Sequence, residues 1–207
     1  MTLFSDLRVR WQAYKTRRKM NRQFGKREDP FSYASTPYEA ARLAAMDAAL
    51  GPEPLGPVLE AGCAEGHFTE KLTGRSSRVL AMDISAVALA RARKRAPSAV
   101  VIEADLMGWE PGAEAPFGAI VLGDVLYYLD RPGVGAEFAA LFPRIASWLK
   151  PGGRLLLAHG FSSDKELAHR RSFRERFERA GLRLVSETIP AADRGGVRCL
   201  LSTLEKI

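Results

Sequence analysis

The sequence predicts one α/β fold in which a mostly parallel, seven-stranded sheet with one antiparallel edge strand carries helices on both faces. From residue 57 to residue 180, short apolar runs alternate with helix-forming segments, which is typical of successive βα units. The last two apolar runs have no helix between them, which favours an antiparallel pair at one edge of the sheet. With 207 residues and 46% hydrophobic composition, the chain can bury one full core.

The first βα unit contains the most informative motif. Residues 57–61 predict a strand that contains Glu60, and the small residues after it predict a tight loop before a helix. The glycines of this loop allow a ligand to approach the backbone closely, because no Cβ intervenes. A dinucleotide site needs a third glycine five residues after the first one. His67 occupies that position, so the loop predicts a different ligand.

The second unit ends in a carboxylate. Residues 77–83 predict a strand ending at Asp83, which follows Glu60 by 23 positions. This is near the spacing at which such sheets offer a carboxylate to ribose hydroxyls, and its two oxygens can accept both hydroxyl protons. Residues 86–95 then predict a helix with Ser85 as its N-cap.

The third unit repeats this arrangement. Residues 99–103 predict a strand that is followed by Asp105. Taken alone, Asp83 or Asp105 would be interpreted as a helix cap or a turn acid. Their order and spacing behind the glycine loop favour a ligand-binding edge instead.

The remaining elements complete the sheet. Residues 117–123 predict a fourth strand, and residues 138–149 predict an amphipathic helix that a Pro-Gly-Gly turn ends. The later predicted elements are a strand at 154–159, a charged helix at 165–180, and strands at 182–189 and 196–204.

The loop and the two acids resemble the cofactor motifs of class I methyltransferases, which bind S-adenosylmethionine (SAM) on a Rossmann-like sheet. The pattern here is E-x-G-x-A-x-G, with Ala64 where many members have glycine. The resemblance implies SAM as cofactor, S-adenosylhomocysteine (SAH) as product and no metal. It implies that Glu60 lies beside the methionine part, Asp83 at the ribose and Asp105 at the adenine. The implied cofactor-binding residues are Glu60, Gly62, Cys63, Ala64, Gly66, Asp83, Ile84, Asp105, Leu106 and Gly123.

The segment after the fourth strand bears on the acceptor. Class I enzymes that methylate base amines or glutamine amides often carry N-P-P-Y there, whereas this chain has G-D-V-L-Y-Y at residues 123–128. This difference counts against base methylation. If the acceptor needs a general base, His159 at the end of the fifth strand is the first candidate, followed by Asp124 and Tyr127. The alternative for each is a packing role.

Two segments narrow the resemblance to the NodS-like (nodulation protein S) group of methyltransferases. They are G-C-A-x-G-x-F-T-E-K-L at residues 62–72 and D-P-F-S-Y at residues 29–33. The second leads to a Thr-Pro helix start with Glu39 at the capping-box position. In this group the N-terminal segment covers the SAM site, so Tyr33 and Tyr38 are implied lid residues; their alternative is packing on the first helix.

The positive charge is concentrated at the N-terminus. Residues 1–28 contain nine lysines and arginines and two acids, and this balance of +7 equals the net charge of the whole chain. An aromatic and apolar stripe recurs there at helical spacing, which predicts an amphipathic helix that packs the stripe on the domain or on a second subunit. The alternative is an arm that binds nucleic acid, anionic lipid or an acidic substrate. The stripe comprises Phe4, Leu7, Trp11 and Tyr14.

We therefore divide the chain into a basic N-terminal arm (1–28), a lid segment with a helix (29–50) and a SAM-binding methyltransferase domain (51–207). Two cysteines are too few for a disulfide framework, and no Cys/His cluster has metal-ligand spacing. No apolar segment is long enough for a membrane span, and the N-terminus lacks the apolar stretch of a signal peptide. We expect a cytoplasmic protein, either a monomer or a homodimer.

These features favour a SAM-dependent methyltransferase that acts on an amine or a hydroxyl of a small molecule. The group's namesake methylates an amino sugar of a chitin-like oligosaccharide, so the resemblance implies an amino sugar, an oligosaccharide or a natural product as acceptor. Two alternatives stay open. One is an RNA or protein methyltransferase that docks its substrate through the basic arm, and the other is a non-catalytic SAM-binding protein.

Overall fold

The computed structural model describes residues 3–52, 54–190 and 193–207, with side chains from residue 7 onward. Its sheet has seven strands in the order β3-β2-β1-β4-β5-β7-β6. Strands β1 to β5 pair in parallel, whereas β7 is antiparallel to both of its neighbours, β5 and β6. The predicted fold class is thereby confirmed. The strands are β1 Pro57–Ala61, β2 Arg78–Asp83, β3 Val100–Glu103, β4 Phe117–Gly123, β5 Leu149–Phe161, β6 Leu182–Thr188 and β7 Arg198–Lys206.

Seven α-helices surround the sheet in the described part of the chain. They are α1 Leu3–Lys26, α2 Pro37–Ala49, α3 His67–Thr73, α4 Ala86–Arg95, α5 Leu126–Leu129, α6 Gly135–Trp148 and α7 Asp164–Arg179. Two predicted capping signals are present: the Thr36 side chain accepts from the Glu39 N–H, and that of Ser85 accepts from the Ala88 N–H. Each cap satisfies a backbone donor that a helix start leaves free.

The fifth strand differs from its prediction. It begins at Leu149 rather than at residue 154, and the Pro-Gly-Gly turn lies inside it as an irregularity. Phe117 of β4 pairs with Leu149, and Ala119 two residues later pairs with Arg154, so the turn is accommodated as extra residues on one strand. The sequence marks the turn, but the pairing on its N-terminal side depends on the neighbouring strand.

The core lies on both faces of the sheet. One buried cluster contains α6, α7 and one side of the central strands, and a second contains α2, α3 and the other side. Strand β4 is buried from Phe117 to Leu122, as expected for a central strand covered on both faces. The carboxyl ends of β1 to β4 therefore meet at one edge, where open α/β sheets bind ligands.

The first helix packs through a different face from the predicted one. Met20 and Phe24 are buried, and they pack near Ala64 and Ala88. The predicted stripe faces away from the domain, since Leu7, Trp11 and Tyr14 are 56%, 57% and 46% exposed; the side chain of Phe4 lies outside the described residues. The prediction that this stripe packs on the domain is wrong, because Met20 and Phe24 form a second apolar stripe that meets α4. Packing on a second subunit stays a prediction.

Candidate active site

A cavity of about 430 Å³ lies at the carboxyl edge of the parallel strands. Its volume falls in the range of small-molecule sites, roughly 300–1,000 Å³. The structure brings most of the predicted cofactor residues together on its wall, at the ends of β1, β2, β3 and β4. They are Gly62, Ala64, Asp83, Ile84, Asp105, Leu106 and Gly123.

The glycine loop after β1 is held against β4. Gly62 has φ +84°, and a Cβ on it would lie 2.5 Å from the carbonyl oxygen of Gly123, so a larger residue would force the loop and β4 apart. Ala64 also has positive φ, +48°, a strained conformation for alanine. Gly66 is not on the cavity wall. A Cβ on it would lie 3.0 Å from the Cα of Ala92, so it allows α3 to pack closely on α4.

Asp83 connects the loop to the next helix. Its Oδ2 accepts from the Ala64 N–H at 3.0 Å, and its Oδ1 accepts from the Ser85 N–H at 2.8 Å. Burial raises the pKa of this carboxyl, although these N–H groups oppose the rise. No cation among the described side chains forms an ion pair with it. A half-buried carboxylate at a cavity wall, without a cationic partner, fits hydroxyl donors such as those of a ribose.

Glu60 and Cys63 lie behind the loop, where they line a small side cavity of about 30 Å³. The Thr69 hydroxyl donates to Oε2 of Glu60 at 2.6 Å. Burial raises the pKa of Glu60 to about 7, even though the Thr69 hydrogen bond opposes this. Burial also raises the pKa of the Cys63 thiol, which makes that residue a packed loop residue rather than a nucleophile.

Asp105 lies on the loop after β3, where it accepts from the Met107 N–H at 3.2 Å. Burial raises its pKa. Asp105 and Leu106 bring the end of β3 to the cavity wall. The arrangement of loop, Asp83 and Asp105 along one edge fits the cofactor that the motif implies.

A buried arginine on α2 lines the small side cavity beside Glu60 and Gly62 and binds two carboxylates of the main cavity wall. Arg42 donates from Nη1 to Oε2 of Glu39 and from Nη2 to Oδ2 of Asp124, each at 2.8 Å. The side chain of Arg42 is only 5% exposed. One guanidinium thus joins the lid helix to the end of β4, in a geometry that only a forked cation provides.

The two carboxylates that Arg42 joins differ in their electrostatics. Burial alone would raise the pKa of Asp124, but Arg42, His159 and the N–H of Gly160 outweigh it and lower that pKa. Glu39 behaves in the opposite way, since burial raises its pKa in spite of Arg42. Both residues line the cavity. Asp124 is therefore an anchoring anion and a weak proton acceptor, whereas Glu39 is the better proton acceptor of the two.

The other two predicted catalytic residues differ in their access to the cavity. Tyr127 lines the cavity, and burial followed by the charge of Asp124 raises its pKa, so its hydroxyl stays protonated. His159 is only 2% exposed, and it does not line the cavity as the structure describes it. Its ring packs 6.0 Å from the Tyr127 ring and 5.6 Å from the Phe173 ring. Burial lowers the pKa of His159 to about 4, so the ring is neutral at pH 7.

Two further arginines and a glutamate add polar groups to the cavity wall. Arg170 stacks its guanidinium 4.2 Å from the centroid of Tyr127 and donates to the Gly160 carbonyl. Arg194 donates to the Phe31 carbonyl of the lid. Both line the cavity, as does Glu166, which accepts from the Ser162 N–H at 2.7 Å.

The segment that the sequence predicts as a lid, residues 29–39, contributes to the cavity wall. Tyr33 and Tyr38 line the cavity, as the lid prediction requires. The segment is fixed at Asp29, whose carboxylate accepts from the Tyr33 N–H and whose own N–H donates to Glu65. Asp29, Glu65 and His67 have ligand-type atoms within 4.8 Å of one another. Because Glu65 is already paired with Arg91, we interpret this group as an anchor of the lid.

Sequence reasoning missed Glu39 and Arg42 as site residues. Glu39 stood out only as a capping-box residue, and Arg42 follows it by three positions on an otherwise alanine-rich helix. One signal was available in the sequence. A carboxylate and an arginine three positions apart share a face of the helix, and a helix that packs on the domain can bury such a pair. Arg170 had no signal, because it lies within a helix rich in charged residues.

The profile of the family "Nodulation protein S (NodS)" matches residues 15–185. The chain belongs to the NodS family. Nodulation protein S from Azorhizobium caulinodans is 34% identical over 102 residues, which cover 49% of each chain. The protein of that name from Rhizobium tropici is 34% identical over 133 residues, covering 62% of this chain and 54% of the relative. The chain thus spans about half the length of these curated NodS relatives.

Solved structures show the same fold. The N-methyltransferase NodS from Bradyrhizobium japonicum WM9, in complex with SAH, superposes with a TM-score of 0.80 at 23% identity, covering 92% of this chain and 98% of that one. Among relatives by sequence alone, a trans-aconitate 2-methyltransferase from Paracidovorax citrulli is 35% identical over 122 residues, which cover 57% of this chain and 43% of that enzyme. This member of the NodS family therefore has the class I methyltransferase fold. None of its helices, in the part that the structure describes, has the length and apolar character needed to cross a membrane.

Proposed function

We propose that this chain is a SAM-dependent methyltransferase that acts on an amine or a hydroxyl of a small molecule, with an amine as the preferred acceptor. One observation carries the proposal. A single cavity has on its wall both the proposed cofactor residues Gly62, Asp83 and Asp105 and the buried carboxylate of Glu39. The NodS structure that shares this fold is named as an N-methyltransferase and contains SAH, which supports the same chemistry here.

We propose that SAM is held by the residues that the motif implies: Asp83 at the ribose, Asp105 at the adenine, and the loop at the methionine part. When bound, SAM supplies an already activated methyl group, so no covalent nucleophile is required of the protein. The chain must orient the acceptor, exclude water and take up a proton. Orientation alone can lower such a barrier by about 7–11 kcal/mol.

The acceptor end supplies these functions through Glu39 and its neighbours. An ammonium group must lose a proton before its nitrogen lone pair can react, and the carboxylate of Glu39 is placed and poised to accept it. Asp124 keeps Arg42 in place, so that Arg42 in turn orients Glu39. Tyr127 and Arg170 form the adjacent wall, where hydroxyl groups of a sugar-like acceptor find hydrogen-bond partners.

The direct test is a screen of amine-bearing sugars and natural products for SAM-dependent mass gain of one methyl group. We expect at least one amine to gain the group with wild type and none with Asp83→Ala. Methylation of hydroxyl compounds alone would replace the amine by a hydroxyl acceptor. Absence of transfer to any compound, together with tight SAH binding, would favour a non-catalytic SAM-binding protein.

The ionisation of Glu60 gives a pH dependence of cofactor affinity. The pKa of Glu60, about 7, lies above the ordinary 4.5. In the ligand-free protein the protonated side chain therefore stabilises the fold, and this contribution to the free energy of unfolding is lost as the pH rises through 7. A cationic ligand beside it favours the carboxylate, so we expect SAM affinity to rise by about tenfold between pH 6 and pH 8. Calorimetry in buffers of different ionisation enthalpy would also show proton release at pH 6. In Glu60→Gln, the affinity should be nearly independent of pH; a slope equal to that of wild type would assign the titration to another group.

The lid segment is expected to respond to ligands. Residues 29–39 place Tyr33 and Tyr38 on the cavity wall, and their anchor at Asp29 and Glu65 is a small set of polar contacts. We expect slower amide hydrogen exchange in residues 33–39 when SAH is bound, because the ligand adds contacts to this side of the cavity. Residues 182–188 of β6 serve as an internal control. Unchanged exchange across residues 33–39 with SAH and an acceptor present would show that the segment is fixed packing.

A further inference from the structure

The outward face of α1 has an apolar patch with no partner in the described part of the chain. Leu7, Trp11 and Tyr14 are each about half exposed, and Trp11 and Tyr14 stack with their ring centroids 5.7 Å apart. Isolated exposed apolar residues need no explanation, but three on one helix face form a continuous patch. The opposite face of the helix is fixed on the domain by Met20 and Phe24, so the patch cannot turn inward.

Positive charge surrounds this patch. Lys15 lies 5.0 Å from the Trp11 ring centroid and Arg18 lies 5.7 Å from that of Tyr14. Arg8 and Arg22 are also exposed and lie on or beside the same outward face at helical spacing. Among the described side chains, no carboxylate forms an ion pair with any of these four cations. Residues 1–28 hold +7 while the remainder of the chain is formally neutral, so the excess positive charge attracts an anionic partner to this helix.

We propose that the outward face of α1 docks on the surface of a lipid bilayer that contains anionic headgroups. A rigid helix with Leu, Trp and Tyr on one side and flanking Lys and Arg is the pattern of a helix that lies in a membrane interface. Trp and Tyr favour the headgroup region because their rings are apolar and carry a polar atom. The basic side chains add attraction to the negative surface.

Two other occupants fit the patch less well. Single-stranded nucleic acid stacks its bases on free aromatic faces, but here Trp11 and Tyr14 stack on each other and cations lie over them. A second copy of the chain would bring two like-charged helices together, which is unfavourable. Lipid requires neither a free ring face nor a complementary protein surface.

Docking on lipid would also place the cavity beside the bilayer. The inner side of α1 contributes Thr16, Met20 and Phe24 to the cavity wall, while its outer side carries the patch. A single helix thus separates the proposed lipid surface from the cavity. The bilayer contact itself does not depend on the proposed enzymatic activity.

The test is sedimentation of the full chain with vesicles of phosphatidylcholine, with and without phosphatidylglycerol. We expect binding to the anionic vesicles that weakens as salt rises, and little binding to phosphatidylcholine alone. Trp11→Ser combined with Tyr14→Ser should weaken binding by roughly tenfold or more, because two apolar groups are lost. Arg18→Glu combined with Arg22→Glu should weaken it by roughly fivefold or more per residue. Val185→Ser, at an exposed valine of β6, is the matched control and should bind as wild type does.

The tryptophan signal separates lipid contact from electrostatic adsorption. The chain has three tryptophans, and Trp148 is buried. A blue shift of emission on anionic vesicles should vanish in Trp11→Phe, which keeps the apolar patch and therefore still sediments. A circular dichroism spectrum and a melting temperature close to those of wild type show that each variant is folded. Equal binding to both vesicle types would overturn the proposal, as would an equal loss of binding in Val185→Ser. Tighter binding to single-stranded RNA than to vesicles, or a dimer that Trp11→Ser abolishes, would also overturn it.

Discussion

Replacing Glu39 with glutamine should lower the turnover number by roughly 10²–10⁴-fold, the usual contribution of a general base. The amide keeps the shape of the side chain and an oxygen for the 2.8 Å hydrogen bond from Arg42, so the lid helix stays in place. Loss of the carboxylate removes the proton acceptor that burial keeps poised. The substitution leaves Gly62, Asp83 and Asp105 unchanged, so SAH affinity should change little. Steady-state kinetics with the acceptor found in the screen, together with calorimetry, measure both quantities.

Glu166→Gln is the matched control, because Glu166 lines the same cavity. Hydrogen bonds from Ser162 lower its pKa, which makes it a weak proton acceptor. We expect its turnover to stay within severalfold of wild type. The wild-type pH profile should lose activity as Glu39 is protonated at low pH, and this acid limb should be absent in Glu39→Gln. If both variants lose activity equally, or if the acid limb persists in Glu39→Gln, Glu39 is not the proton acceptor.

Replacing Arg42 with methionine should lower the free energy of unfolding by about 3–5 kcal/mol, because it leaves two buried carboxylates without their cation. The side chains of Arg42 and Glu39 are 5% and 7% exposed, so water cannot replace the lost partner. Asp124 is also partly shielded and sits in a left-handed backbone conformation, φ +50°, that this network helps to hold. Denaturant unfolding at neutral pH measures the change.

Arg183→Met provides the comparison for Arg42→Met. Arg183 forms an ion pair with Glu205 at the surface, so its loss should cost about 0–1 kcal/mol. The pKa of Asp124 is lowered in the folded state, so its contribution is present above pH 3.8 and is lost as the pH falls through the lower folded value. The difference between wild type and Arg42→Met should therefore shrink in acid. A cost no greater than that of Arg183→Met would show that the arginine network does not hold α2 and β4 together.

The cofactor end could be predicted from the sequence because its residues follow strands in a fixed order. Once β1, β2 and β3 are parallel neighbours, the loop after Glu60, then Asp83 and Asp105, must emerge at the same edge. The acceptor end could not be predicted in this way. It combines Glu39 from a helix before the sheet with Arg170 from α7, and no spacing along the chain encodes that encounter.

The first helix shows the same limit. Both of its apolar stripes have helical spacing, and the sequence alone offers no reason to prefer Met20 and Phe24 over Trp11 and Tyr14 as the packing face. The choice depends on the shape of the groove beside α4. His159 illustrates a related difficulty, since a strand end can direct a side chain to the cavity or to the core, and here the ring lies between Tyr127 and Phe173.

Calorimetric titration of wild type and Asp83→Ala with SAH tests the central claim, that this cavity binds SAM through the edge of β1 to β4. Asp83 is the half-buried acid of that edge, and its loss removes a charged hydrogen-bond acceptor worth about 1.5–3 kcal/mol. We expect tight binding by wild type, affinity weakened by at least tenfold in Asp83→Ala, and unchanged affinity in Glu175→Ala, an exposed acid on α7. Failure of wild type to bind SAH, or equal affinity of wild type and Asp83→Ala, would contradict the assignment of the cavity.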